Sequence, residues 1–241
     1  MIPSVLMLTD NISEIVESSP ILANLTPVET QMFIDQGRQR SVKKGAYLFQ
    51  QGELASSFYV ITQGRISLVQ LTSDGHQIIL NYFEPGDGMG VIVALSEMPY
   101  PASAEVLEDS VVLSWDRETT RRLMLQIPQL ALNGMEMIAG RFARLQGRYL
   151  EMATQRVEQR IALTLLRLVR QFGKRVDDGV LIDIPLTRQD LAEMTGTNLY
   201  NVSRILSKWE QAGTVRTGRK QVILCRAHDL VILTEGTPQD S

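Results

Sequence analysis

Two stretches of the chain carry residues whose types and spacing suggest chemistry, and it is opposite chemistry. In "LTRQDLAEMTGTNLYNVSRILSKWEQAG", Leu199, Tyr200, Ser203 and Arg204 fall near the start of a helical pattern. A guanidinium so placed suits a bidentate pair with guanine O6/N7, worth about 1–3 kcal/mol of discrimination. Tyr200 and Ser203 suit base edges or phosphate. Leu199 suits either a thymine methyl or helix packing, and the plainer alternative for Arg204 is an ion pair with Glu210. Thr187, Arg188, Asn201 and Lys208 suit phosphate oxygens, which fix register without reading sequence. Arg216, Arg219 and Lys220, in "GTVRTGRKQVILCR", extend that cationic set. The other stretch, "PGDGMGVIVALSEMPYPASAEVLEDS" (85–110), has the outline of a phosphate cassette: a Gly-rich turn, a short apolar helix and a return strand. Yet it holds no Lys or Arg, and its first twenty residues carry only Asp87 and Glu97 as acids.

Both stretches need scaffolds. From Arg38 to Trp115 short β-rich runs ("YLFQ", "SFYVIT", "RISLVQL", "QIILNYF", "VVLSW") alternate with glycine turns at Gly45, Gly52, Gly64, Gly75 and Gly86. Glycine tolerates the positive φ of tight turns, and many short strands with frequent corners favour a small roll. From Pro128, Met135, Ile138, Phe142, Leu145, Tyr149 and Met152 recur at spacings of 3, 4, 3, 4 and 3. That is an a/d seam, which predicts a parallel two-stranded pairing and hence a homodimer. The alternative is a single helix lying on its own roll. Arg141, Arg144, Arg148 and Glu151 occupy positions that suit water, and Gly134 and Gly140 either weaken the helix or permit close approach.

The third region starts with the amphipathic "RIALTLLRLVRQF", then a turn at Asp177-Asp178-Gly179 and the run "VLIDIPL". Helix, tight turn and helix follow: Thr187 caps the first with Asp190 closing a capping box, Gly196 turns, and Asn198 caps the second. Leu191, Ala192 and Met194 face Val202, Ile205, Leu206 and Trp209. A hairpin with a Thr217-Gly218 turn completes a winged helix. The fold class expected is α+β: an N-terminal double-stranded, jelly-roll-like β-roll, a long dimerisation helix and a C-terminal winged helix-turn-helix domain. The boundaries expected are 1–20 as an extension, 21–127 as the sensor, 128–154 as the helix, 155–227 as the DNA-binding domain and 228–241 as a tail.

Charge follows the same division. Residues 1–155 hold 11 Lys/Arg against 17 Asp/Glu, and residues 156–226 hold 13 against 7. A basic segment behind an acidic one points to a polyanion partner for one part only. Cys225, the single cysteine of 241 residues, excludes an internal disulfide, a four-cysteine iron–sulfur cluster and a cysteine-rich zinc site. It suits a reducing cytosol. Without a basic, cleavable leader or an apolar run near ~18 residues, neither export nor a membrane span is expected, and the location expected is the cytoplasm. No H-E-x-x-H, P-loop or G-x-S-x-G motif is present, so no enzyme is indicated.

From about residue 21 to 226 this layout resembles the catabolite activator/fumarate–nitrate regulator (CRP/FNR) superfamily. "KKGAYLFQQGELASSFYVITQGRISL", "PGDGMG" and the helix-turn-helix carry the resemblance. It implies a cyclic-nucleotide-binding-type sensor, a dimer on a roughly palindromic double-stranded DNA site, and contact with RNA polymerase if the protein activates. It also implies that cyclic-AMP binders carry Glu after the cassette's glycine and Arg after its proline. Here Val91 and Tyr100 stand at those positions, removing the ribose acceptor and the phosphate fork. Three readings of control follow. One is an apolar or heterocyclic ligand, haem among them by family precedent, lodged between Met89, Gly90, Val91 and Tyr100 and the helix residues Ile138, Phe142 and Leu145. Another is a pocket filled by the protein's own side chains. The last, of another class, is a cyclic-nucleotide signalling module or an architectural DNA-binding protein. His76 and His228, the histidines a haem iron would seek, fall in a hairpin turn and after the wing.

Overall fold

The computed structural model describes residues 14–72, 75 and 77–235, and it is α+β. The chain divides into two compact units that meet inside one long helix, between Arg144 and Leu145.

In the first unit, helix α1 (Pro27–Asp35) starts on a capping box between Thr26 and Glu29. Seven antiparallel strands follow: β1 (Arg38–Val42), β2 (Ser57–Gln63), β3 (Ile66–Leu71), β4 (Gln77–Phe83), β5 (Gly88–Met89), β6 (Ser103–Val106) and β7 (Ser110–Asp116). They form two sheets, ordered β1-β7-β2-β5 and β4-β3-β6. β2 is buried from Phe58 to Thr62 because it runs through the middle of the first sheet. Trp115 anchors the core, stacked on Phe33 at 4.2 Å and donating Nε1–H to the Phe33 carbonyl at 2.8 Å.

All five expected turn glycines have positive φ, from 81° to 94°. Gly64 is also bound by space, since a Cβ there would lie 2.1 Å from Ser110 Oγ. The run "YLFQ" departs from expectation. Tyr47 makes only an isolated bridge to Glu105, and Leu48 and Phe49 are core residues on a loop. β1 and β6 were not legible as separate strands: "RQRSV" is almost wholly exposed, and "SAEV" is four residues long.

The cassette follows β5 through the short helix α2 (Ile92–Leu95). Helix α3 (Arg117–Gln126), capped by Asp116, leads into α4 (Pro128–Thr154).

In the second unit, α5 (Val157–Phe172) buries Ile161, Leu165, Leu168 and Phe172. Strands β8 (Gly173–Val176) and β9 (Gly179–Ile182) form a hairpin whose first strand the apolar pattern missed, since Lys174 and Arg175 are exposed. Helices α6 (Arg188–Thr195) and α7 (Leu199–Gln211) precede the wing, β10 (Val215–Gly218) and β11 (Gln221–Leu224). The sheet order is β10-β11-β9-β8. The expected tail from residue 228 needs correcting, because helix α8 (Ala227–Glu235) belongs to this unit: Leu230 is buried and Gln159 donates to the Leu233 carbonyl at 3.3 Å. Among the described residues no helix is long and apolar enough to cross a membrane.

Candidate nucleic-acid interface and sensor cassette

The helix-turn-helix is built as its local chemistry requires. Thr187 accepts from Asp190 N–H while Asp190 accepts from Thr187 N–H, at 3.0 and 2.7 Å. Gly196 ends α6 at φ 60°, and Asn198 Oδ1 accepts from Asn201 N–H at 2.9 Å to start α7. Val202, Ile205, Leu206 and Trp209 form the buried face of α7, and Leu191 and Ala192 are buried on α6. The opposite face of α7 carries Tyr200, Arg204 and Lys208 at intervals of four, all exposed, with Leu199 beside them and Ser203 half-buried. A cleft of about 350 Å³ separates the α7 start from the wing, with Leu186, Leu191, Leu206 and Val222 lining it and Arg188 and Lys220 at its polar edge.

The wing turns later than expected. Gly218 pairs with Gln221, so Arg219 and Lys220 form the turn instead of Thr217-Gly218. Lys220 takes φ 58°, a left-handed conformation that costs a non-glycine residue about 1–2 kcal/mol. The shift sets both cations at the tip.

Partners separate the cations into groups. Arg188 pairs with Glu210 at 3.7 Å and donates to Thr217 Oγ1 at 3.2 Å; Lys208 pairs with Glu158 at 3.0 Å; Arg216 pairs with Asp178. Glu210 also accepts from Thr217 N–H and Oγ1–H, at 2.8 and 2.7 Å, so it is committed to the wing and to Arg188. Among the described residues Arg204, Arg219 and Lys220 make no ion pair. Two further cations of the basic segment are structural. Arg160 donates to the carbonyls of Gln155, Thr195 and Gly196 at 3.0, 2.8 and 3.3 Å, and Arg167 makes a two-fold pair with Glu151 at 2.6 and 2.7 Å. The charge count made these look like surface; only the fold distinguishes them. Glu151, expected to face water, is therefore a fastening between the end of α4 and α5. Met152 closes the same corner, its Cε 2.8 Å from where a Cβ on Gly196 would stand.

In the first unit the cassette is packed. Met89, Val91 and Tyr100 are each at most 2% exposed. The Tyr100 ring stacks on Phe49 with centroids 3.9 Å apart. Its hydroxyl donates to the Ser57 carbonyl at 2.8 Å and accepts from Ser57 N–H at 3.0 Å and Ser56 N–H at 3.2 Å. Gly90 lies under it at φ 77°, where a Cβ would approach the Ser57 carbonyl to 2.6 Å. Of the residues expected to line a ligand pocket, Met89, Val91 and Tyr100 are thus members of the core.

The start of α4 closes over this packing. Of the two roles left open for Gly134, close approach is the one seen, its absent Cβ lying 3.1 Å from Val91 Cγ2, and Met137 reaches over Gly88. Arg141, expected in water, is half-buried instead: Nη2 donates to the Gly88 carbonyl at 2.5 Å and the guanidinium lies 5.5 Å above the Phe83 ring. Burial, reinforced by Arg144 and opposed by Asp87, holds its pKa below the usual arginine value. Burial likewise pushes the Asp87 carboxyl up, against the Glu84 backbone N–H and the two arginines. Ile138, Phe142 and the rest of the seam lie on another face and are exposed, Phe142 by 59% and Tyr149 by 72%.

Haem does not fit these residues. The Tyr100 hydroxyl is engaged with the Ser56–Ser57 backbone, Met89 is sealed in the core and His228 is exposed on α8; His76 lies outside the described residues. Among the described residues no group of three or more His, Cys, Asp or Glu could hold a metal ion.

Comparison with known proteins agrees with both halves. A Cyclic nucleotide-binding domain family matches residues 39–126, and a Crp-like helix-turn-helix domain family matches residues 159–231. The chain belongs to the CRP/FNR family of transcription regulators. This CRP/FNR protein is 29% identical over 192 residues to the Anaerobic regulatory protein of Bacillus subtilis, covering 79% of this chain and 81% of the relative. It is 27% identical over 202 residues to the Cyclic AMP receptor protein of Thermus thermophilus, covering 84% and 90%. Among solved structures, FixK2 from Bradyrhizobium japonicum shares the fold with a TM-score of 0.69 at 24% identity, covering 81% of this chain and 96% of that one. As a CRP/FNR regulator the protein binds DNA through the α6–α7 helix-turn-helix.

Proposed function

We propose that this regulator works in the cytoplasm as a homodimer paired along Met135, Ile138, Phe142, Leu145, Tyr149 and Met152, each head reading half of a roughly palindromic site. The exposed α4 stripe carries the reading: large apolar side chains at a/d spacing need a partner surface to leave water. In each head Leu199, Tyr200, Ser203 and Arg204 meet base edges in the major groove. Thr187, Arg188, Asn201, Lys208, Arg216, Arg219 and Lys220 meet phosphates.

Control is exerted without a nucleotide in the cassette. By the resemblance, Tyr100 stands in sequence where cyclic-AMP binders carry a phosphate-binding Arg, and Val91 offers a ribose no acceptor. A phosphodiester buried there would lack a cationic partner, at a desolvation penalty of several kcal/mol. The packing of Tyr100 on Phe49 supports closure by the protein's own side chains over an apolar or haem ligand.

Sedimentation of the purified chain and selection of its sites from random duplexes test the reading together. Dimers and inverted-repeat sites are expected, and Phe142→Glu should weaken dimerisation roughly 100-fold or more. A monomeric wild type, or selected sites without symmetry, would contradict it.

A further inference from the structure

The cations around α7 fall into two classes by partner. Arg204, on the outer face of α7, and Arg219 and Lys220, at the wing tip, make no ion pair among the described residues. Arg188, Lys208 and Arg216 each face an acid: Glu210 at 3.7 Å, Glu158 at 3.0 Å, and Asp178 in a direct pair. Two of these acids are held by other bonds. Glu158 also accepts from Trp209 Nε1–H at 3.1 Å, and Glu210 from the Thr217 backbone and hydroxyl. They come from three places in the head, namely the first turn of α5, the β8–β9 turn and the end of α7.

We propose that Glu158, Asp178 and Glu210 act as phosphate surrogates, holding Lys208, Arg216 and Arg188 in the free protein and yielding them to DNA phosphates on binding. The inference rests on the reading of this face as the DNA-binding surface. A cation that leaves an acid for a phosphate releases DNA counterions, but the exposed carboxylate takes up cations in turn, so the net release is small. Each acid therefore lowers affinity and flattens its salt dependence, while base reading by Arg204 is untouched. A single head weakened in this way holds DNA poorly, which makes occupancy depend on two heads engaging one site. The acids are positioning and affinity-setting residues, not base-reading ones.

The test uses the full-length chain with Asp178→Asn, Glu158→Gln and Glu210→Gln, singly and together. The amides keep an acceptor oxygen for Trp209 and Thr217 while removing the charge. Binding to a selected site and to a random duplex is followed by fluorescence anisotropy between 50 and 200 mM salt. Each substitution should tighten both complexes by about two- to five-fold. Each should also steepen the slope of log K against log[salt] by about 0.9, leaving the ratio between the two duplexes unchanged. A triple variant with the wild-type slope and wild-type affinity for random DNA would overturn the proposal. Arg204→Ala serves as the internal control. If it fails to narrow the gap between the two duplexes, the assignment of the face is at fault; if it narrows the gap while the amides do nothing, only the surrogate role is lost.

Discussion

The cassette and the winged head face the same physical problem, the handling of phosphate, and resolve it in opposite directions. In the head, cations line a surface open to solvent: Arg204 is exposed on α7 and Arg219 and Lys220 stand at the wing tip. In the cassette, Tyr100, which the resemblance sets where cyclic-AMP binders carry a cation, stacks on Phe49 and spends its hydroxyl on the Ser56–Ser57 backbone. The glycine backbone is kept, with Gly86 and Gly90 at positive φ, so on the proposed reading the fold of a nucleotide cassette survives without its ligand chemistry. Fold and ligand chemistry are separable because the first is set by backbone turns and the second by two or three side chains.

Substitutions in the two regions should therefore have different signatures. The largest effect is expected from Tyr100→Ala, which empties a closed site and should cost about 3–5 kcal/mol. Calorimetry should show the fall in the transition of the first unit, and an unchanged melting profile would mean that Tyr100 is not a packing element. Arg204→Ala should instead leave melting intact and reduce discrimination between selected and random DNA by about 1–3 kcal/mol. Equal losses on both duplexes would reassign Arg204 to phosphate. The smallest effect belongs to Lys220→Gly: relief of the left-handed strain should stabilise the wing by about 1 kcal/mol, while loss of the charge lowers the salt slope by about 0.9. A destabilised head, measured by denaturant unfolding, would show that the Lys220 side chain contributes more than its backbone strain removes.

What was legible in the sequence differed between the regions for the same reason. The helix-turn-helix is local: the Thr187–Asp190 box, the Gly196 turn, the Asn198 cap and the α7 core face all lie within 23 residues, and each was readable from spacing. The turn glycines were readable too, since a positive φ is a property of single residues. The roles of Arg141, Arg160, Arg167 and Glu151 were not. Their partners are 53, 35, 16 and 16 residues away, at Gly88, Thr195, Glu151 and Arg167, and nothing in a charge count separates a cation facing water from one capping a helix end. The wing turn slipped by two residues because Gly218 is the obvious turn former, yet the chain places Lys220 in the left-handed position. The cassette lay between these extremes. The absence of Arg and Lys was plain, but Tyr100 stacking on Phe49 requires two segments 51 residues apart to meet.

The central claim is that DNA recognition by this regulator needs no nucleotide in the cassette. Anisotropy of the purified, nucleotide-free protein on its selected operator, with cyclic AMP titrated to millimolar concentration, tests it most directly. Full sequence-selective binding before any addition, with no change along the titration, is the result predicted. Binding that appears only as cyclic AMP is added would contradict it.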